Sequence, residues 1–333
     1  MKILVTGGTG FIGSHTVVEL INAGHEVVIV DNLVNSNKDV IGKIKRITKV
    51  RPLFYKVDVE NKKALAKVFN EHKFDAVIHF AGLKAVGESV QKPLLYYRNN
   101  LDSTLTLLEL MVEYDVKNIL FSSSATVYGT PEVMPIKEDD PLGHTTNPYA
   151  TTKLFIEQIL QDFVSANPGF KAVSLRYFNP IGAHPSKLLG ESPSDIPNNL
   201  MPYISKVANG KLEYLSVHGD NYDTVDGTGV RDYVHVVDLA HGHLLALKAF
   251  SFDKAYNYYN LGTGKGTSVL ELIHAYEKAN KIKIPYVIGP RRDGDIATSY
   301  ADIEKAHIEL GFSPQYTIKE ACRHAFLYEK KQK

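Results

Sequence analysis

The chain predicts an α/β fold: a doubly wound parallel sheet followed by a smaller α/β unit. Three observations carry this expectation. Strand-like apolar runs alternate with helical segments from Ile3 to Phe178. A glycine-rich turn, TGGTGFIG, follows the first of those runs directly. Beyond Phe178 the character changes to long turn-rich stretches, NPIGAHPS, GESPSDIPNN and HGDNYDTVDGTG. These are too long to be mere connections and read as loops that embrace a ligand.

The strand-like runs are ILV (3–5), VVIVD (27–31), AVIHFAG (76–82), NILFSSS (118–124) and AVSLRYF (172–178). They are continuously apolar rather than alternating, as strands covered on both faces are. Helical segments fall at 12–23, 62–72, 93–114 and 149–165. Later, YVHVVDLAHGHLLALKAF (233–250) reads as a strand running into a helix, and a last helix closes the chain near 318–330. The expected division is 1–176 and 177–333, with elements around 232–262 returning to the first unit.

A chain of 333 residues, 44% hydrophobic, is long enough for one large domain or two. Its 38 basic and 37 acidic residues leave a formal net charge of +1, which argues against a nucleic-acid binder or a protein recruited electrostatically to membranes. The single cysteine, Cys322, excludes an internal disulfide and any multi-cysteine metal site. MKILVTGG holds one basic residue and too short an apolar run for a signal peptide, and no segment approaches the ~20 apolar residues of a membrane span. A soluble, cytoplasmic protein is the expectation.

In TGGTGFIG, glycines 7, 10 and 13 sit between a strand and a helix. Small residues there let backbone approach a pyrophosphate, which rests on the positive helix N-terminus. Asp31 ends the second strand, where an acid accepts from ribose hydroxyls and repels a 2′-phosphate, favouring NAD over NADP. The expectation is thus a Rossmann-type, NAD-binding first unit. NLGTGKGTSVLE (260–271) has similar glycine spacing, but Ser268 and Glu271 form a capping box, and it reads as a helix entry turn.

NPYATTK (147–153) offers the chemistry. Asn147 suits an N-cap and Pro148 the first helical position, so Tyr149 and Lys153 stack one turn apart. A neighbouring cation favours the phenolate, which would make a base at neutral pH. On its own such a pair is more often a surface tyrosine with a solvated lysine. Here SSSATVYG (122–129) adds a strand-end serine, Ser124.

Strand-end serine, tyrosine and lysine after a glycine-rich loop resemble the extended short-chain dehydrogenase/reductase superfamily. HFAGLKAVGESVQKPLLYYRNN (79–100), RYFNPIGAHP (176–185), IPNNLMPYI (196–204), DGTGVRDYVHVVDLA (226–240) and PRRDGD (290–295) narrow the resemblance to its UDP-galactose 4-epimerase family. The resemblance implies that Ser124 orients the reacting hydroxyl, Tyr149 exchanges its proton, and Lys153 lowers the phenol's pKa while holding the nicotinamide ribose. It implies NAD contacts from Gly7, Gly10, Phe11, Ile12 and Gly13, then from Asp31, Asn32, Asp58 and Val59. Phe80, Ala81, Gly82, Lys84 and Asn99 follow, with Tyr177 and Phe178 near the nicotinamide beside Phe80. A UDP-sugar would be gripped by Asn179, Asn199, Arg231 and Arg292, with Leu200 and His218 near uracil and Asp295 on the uridine ribose. Each arginine has an alternative as an ion-pair partner; Arg291 and Arg292 could pair with Asp293 or Asp295.

In related dehydratases and decarboxylases, carboxylates stand just after the catalytic Ser or Thr. Ala125 and Thr126 occupy those places here and cannot titrate. The resemblance therefore implies a hydride taken from carbon 4 of a UDP-hexose and returned to the other face. Ser299 stands where relatives confined to unacetylated sugars carry a bulky tyrosine, leaving room for an N-acetyl group; alternatively Tyr300, one residue on, fills that gap. Other functions remain open: a net sugar-nucleotide dehydrogenase or dehydratase, or a non-catalytic NAD sensor. A homodimer through helices 93–114 and 149–165 is the expected assembly. His235, Asp238, His241 and His243 form no convergent metal set on a helix, so no metal is expected. The EDD run (138–140) reads as a solvated loop.

Overall fold

A computed structural model describes residues 1–192, 197, 199–292 and 294–332. The first half alternates β1 (Lys2–Thr6), α1 (Phe11–Asn22), β2 (Glu26–Asp31), α2 (Asp39–Thr48), β3 (Leu53–Lys56), α3 (Lys62–Glu71) and β4 (Ala76–His79). Helices α4 (Val86–Gln91), α5 (Pro93–Tyr97) and α6 (Ser103–Glu113) lead to β5 (Asn118–Ser124), α7 (Pro148–Ala166) and β6 (Lys171–Tyr177). Then come β7 (Asn179–Ile181), α8 (Leu200–Ala208), β8 (Leu215–His218), β9 (Val230–His235), α9 (Val236–Ala246) and β10 (Tyr256–Leu261). The chain closes with β11 (Gly266–Ser268), α10 (Val269–Asn280), β12 (Tyr286–Gly289), β13 (Thr298–Ser299), α11 (Glu304–Leu310) and α12 (Ile318–Lys331).

Seven strands form one parallel sheet in the order β10-β6-β5-β4-β1-β2-β3. Alternate residues feed two cores. Ile3, Val5, Ile29 and Ile78 pack with Val17 and Leu20 of α1 and Leu239 of α9. Leu4, Val28, Val77 and Phe121 pack with Leu65 of α3, Leu107 of α6 and Ile156 and Leu160 of α7. With both faces covered, the central strands can be apolar at every position, as the sequence predicts. Smaller sheets, β11-β9-β13 with β7 on β9 and the pair β12-β8, join α8, α10 and α12 around a third core containing Ile204, Leu272 and Tyr276.

Several expectations are corrected. The two edge strands β3 and β10 are absent from the predicted set: LFYK is half exposed and YNYYNL mixes tyrosine with asparagine, so neither reads as a continuous apolar run. The helix predicted over 93–114 is interrupted by a π turn at Arg98–Asp102. Asn100 lies in the turn, and its side-chain amide accepts from Leu83 N (2.8 Å) and donates to Leu83 O (3.1 Å) and Thr152 Oγ1 (3.0 Å). Glu138 of the EDD run is buried, accepting from Asn260 N at 2.8 Å. Among the described residues no helix is long and apolar enough to cross a membrane.

Histidines tie the C-terminal helix to the sheet layer. His235 stacks on Tyr316 (4.2 Å between ring centroids) and its Nε2 lies 3.1 Å from His324 Nδ1, while His15 of α1 faces His184 at 6.1 Å. Asp238 accepts from the Gln315 and Tyr316 amides, His241 reaches Glu19, and His243 Nδ1 donates to Leu239 O. Among the described residues no group of three or more His, Cys, Asp or Glu could hold a metal ion.

Burial lowers His15 and His79 to about 3, and burial followed by repulsion from His324 lowers His235 to about 2. These rings are neutral in the fold, so below the ordinary value of 6.5 the unfolded chain takes up protons that the folded one refuses. Stability is complete above pH 6.5 and lost as pH falls from there toward 3, by up to about 1.4 kcal/mol per pH unit for each such ring. Thermal unfolding followed between pH 7 and 5, above the carboxylate range, is expected to show a steeply falling Tm. A flat Tm over that window would contradict the buried-neutral assignment.

Candidate functional site

The carboxyl ends of β1, β4, β5 and β6 gather at one edge of the sheet, where ligands of open parallel sheets bind. At β1 the chain turns sharply: Gly7 has φ +69°, and a Cβ there would lie 2.8 Å from Ala81 N. A Cβ on Gly13 would sit 2.4 Å from Gly7 O. Gly10 is the N-cap of α1 and no side chain caps that helix. The first-turn amides of Phe11, Ile12 and Gly13 are therefore presented for an anion. Asp31 is buried; its Oδ1 accepts from Leu33 N and Ser36 Oγ and its Oδ2 from Thr9 N. Asn32 donates to Asp58 Oδ2 at 2.9 Å, beside buried Val59. Gly82, at φ +152°, abuts Asn100 Oδ1, and Asn99 donates to Glu60.

The three catalytic candidates converge. Asn147 caps α7 by accepting from Ala150 N at 2.9 Å, and Pro148 takes the first position, as expected. Such a cap contributes about 1 kcal/mol. Ser124 ends β5, buried, with Thr126 donating to its Oγ from backbone N (3.3 Å) and Oγ1 (3.0 Å). Lys153 Nζ lies 5.7 Å from the Tyr149 ring centroid and donates to Ser122 O at 2.6 Å.

Burial raises the Tyr149 pKa, with a Ser124 hydrogen bond working against it. Burial lowers Lys153 to about 7, against the pull of Glu157. The protein alone thus favours the neutral phenol and brings the ammonium to the edge of deprotonation. Phe80 and Tyr177 both neighbour His243, at 4.9 and 5.5 Å, whereas Phe178 packs with Val127, Tyr128, Ile136 and Ala301.

The second cluster lies on the smaller sheets. Arg231 on β9 donates to Val230 O and sits 3.7 Å from Asp295 Oδ1. The ion-pair alternative weighed for each arginine is thus met by Arg231, with Asp295 as its partner. Arg291 instead donates to Asn221 Oδ1 (2.7 Å) and covers the Tyr222 ring at 4.0 Å, Arg292 is exposed, and Asp293, like Ile196 and Asn198 of IPNNLMPYI, lies outside the described residues. His218 ends β8; burial and then Arg292 lower its pKa. Ser299, buried on β13, pairs with Arg231, and the Tyr300 ring packs at Gly266 on β11, on the far side of β9. Asn179 starts β7, exposed, and Asn199 precedes Leu200 at the head of α8.

Comparison with known proteins follows this geometry. The NAD dependent epimerase/dehydratase family matches residues 3–262. The chain belongs to that family. It is similar to the UDP-glucose 4-epimerase of Haemophilus influenzae, 55% identical over 330 residues that span 99% of this chain and 98% of the relative. The UDP-glucose 4-epimerase of Bifidobacterium longum, solved with NAD+ and UDP, superposes with a TM-score of 0.96 at 55% identity, covering 99% and 98%. The UDP-Glc/GlcNAc 4-epimerase of Campylobacter jejuni matches with a TM-score of 0.86 at 37% identity, covering 99% of each chain.

For a member of the NAD dependent epimerase/dehydratase family the uncapped α1 terminus and the glycine cradle fit a dinucleotide diphosphate, and Asp31 Oδ2 retains an acceptor position for a ribose hydroxyl. Sequence reasoning missed three residues here. Glu191 accepts from both Lys84 (3.2 Å) and Asn199 (2.7 Å), the first a candidate cofactor contact and the second a candidate substrate contact. The Tyr222 hydroxyl is buried with no hydrogen-bond partner among the described residues, near Asp295 and three arginines. Glu157 stands one turn beyond Lys153 on α7. None carries a motif; only the stride Tyr149, Lys153, Glu157 along one helix face was available to flag the last.

Proposed function

We propose that this protein interconverts UDP-glucose and UDP-galactose by epimerisation at carbon 4, with NAD held throughout. The carrying observation is the convergence of Ser124, Tyr149 and Lys153 at the sheet edge that also presents the glycine cradle, followed by Ala125 and Thr126 instead of carboxylates. NAD, held by the glycine cradle and Asp31, would supply reversible hydride transfer at carbon 4. The chain's residues handle the proton and the orientation. Tyr149 takes the proton of the 4-hydroxyl as the ketone forms and returns it as the alcohol re-forms, with Ser124 Oγ fixing that oxygen and Lys153 favouring the phenolate. Thr126 offers a hydroxyl to Ser124 and no base to remove another proton from the sugar, so elimination has no catalyst there. Bidentate, permanently charged Arg231 and Arg292 suit a diphosphate, helped by Asn179 and Asn199, and this tether retains the ketone while it presents its other face.

Residues 1–176 serve the cofactor and 177–333 the sugar nucleotide, with β10 returning to the first sheet. The specificity extends to UDP-GlcNAc and UDP-GalNAc, because Ser299 is small and Tyr300 is occupied at Gly266. The assembly is a homodimer through α5, α6 and α7. There Leu94, Leu95, Leu105 and Phe155 stand exposed, Leu94 at 76%. The location is the cytoplasm, where a free thiol such as Cys322 persists.

Tyr149→Phe is expected to keep its NAD and lose turnover of UDP-galactose by about 10³-fold or more. A near-wild-type rate, or net NADH accumulation by the wild type, would sink the reading. In a four-substrate panel Ser299→Tyr should cut kcat/KM on the N-acetylated pair by roughly 10- to 100-fold and spare the others. Equal effects on both pairs would refute the pocket assignment. Light scattering should show Leu94→Glu shifting a dimer to monomer; a monomeric wild type removes the proposed interface.

A further inference from the structure

Glu157 and Arg176 are the most deeply buried ion pair among the described residues, 3% and 2% exposed. Arg176 Nε lies 3.0 and 3.2 Å from the two carboxylate oxygens, and Nη2 lies 2.6 Å from Oε2. Stability alone does not account for such a pair, since apolar residues of similar volume commonly serve as well or better. Its surroundings suggest another role. Ser123 Oγ also donates to Glu157. Ser123 is flanked by Ser122, whose carbonyl accepts Lys153 Nζ at 2.6 Å, and by Ser124, the serine of the catalytic set. Ser123 and Arg176 are direct partners across β5 and β6, so the carboxylate from α7 grips two adjacent strands at once.

We propose that Glu157, clamped by Arg176 and Ser123, is a positioning residue that seats the Tyr149–Lys153 face of α7 against Ser124. The inference rests on the epimerase reading only for its kinetic consequences. The groups facing Lys153 are Tyr149 and Glu157 on its own helix, neutral His79 from β4, and the Ser122 carbonyl from β5. Facing Glu157 from the other side are Arg176 of β6 and Tyr256 of β10, the latter at 3.4 Å. Glu157 is thus the carboxylate whose charge opposes loss of the Lys153 proton. Without it, burial acts on the ammonium unopposed.

The test uses the holoenzyme with Glu157→Gln and the double variant Glu157→Gln/Arg176→Met, which leaves no orphaned charge if the single variant folds poorly. Expected is a 10- to 100-fold drop in kcat on UDP-galactose, on the scale of a small misplacement of catalytic groups, with KM and NAD content unchanged. The alkaline limb of the kcat profile should move to lower pH. The Lys153 titration should move the same way, read by NMR of 13Cε-lysine and assigned by its absence in Lys153→Arg. That titration needs no turnover, so an inactive wild type would count against the epimerase reading while leaving the clamp testable. A variant with wild-type kcat, an unmoved Lys153 midpoint, or a loss explained wholly by lower NAD content would overturn the proposal.

Discussion

The packing of α7 across β5 and β6 is the contact on which the site depends. One face of that helix carries Tyr149 and Lys153 to the carboxyl edge of the sheet, while Ile156 and Leu160 anchor it in the core shared with Val77 and Phe121. Its first turn is fixed independently by Asn147 and Pro148, and by Thr152, whose hydroxyl donates to Tyr149 O and accepts from Asn100. Asn100 lies in the π turn, whose Asn100 carbonyl accepts from Thr104; Thr104 in turn meets His79, and His79 meets Thr6 at the end of β1. A continuous buried polar chain therefore links the strand entering the glycine loop to the backbone of Tyr149. This link passes through the interruption of the 93–114 helix, since Asn100 lies in the π turn.

Burial moves the pKa values of Tyr149 and Lys153 in opposite directions. It disfavours charge in both, raising the phenol and lowering the ammonium. The tyrosine–lysine spacing alone is therefore insufficient to make a base. Ser124 works against the first shift and Glu157 against the second.

How much was legible in the sequence follows from what each element buries. Strands covered on both faces announced themselves, as VVIVD and NILFSSS did, because all but one terminal position of each is apolar or small. The edge strands LFYK and YNYYNL did not, since one of their margins meets solvent or polar side chains. Glycine 7 and glycine 13 were readable because steric contact leaves no alternative, and Asn147-Pro148 because caps act locally. Glu138 was misread as solvated: its partner, Asn260, is more than a hundred residues away, and no local pattern encodes that meeting.

The same limit applies within the site. Arg231, Asp295 and Ser299 were recognisable as a set only through resemblance, for they come from different strands of the small sheets and have no common period. The contacts that hold such groups in place are harder still to read. A buried carboxylate looks in sequence like any helical glutamate, and it acquires its meaning when Arg176 and Ser123 arrive from two other strands. Residues that touch ligands are constrained by chemistry and leave motifs. Residues that position them are constrained by packing across the sheet and become visible only in the folded chain.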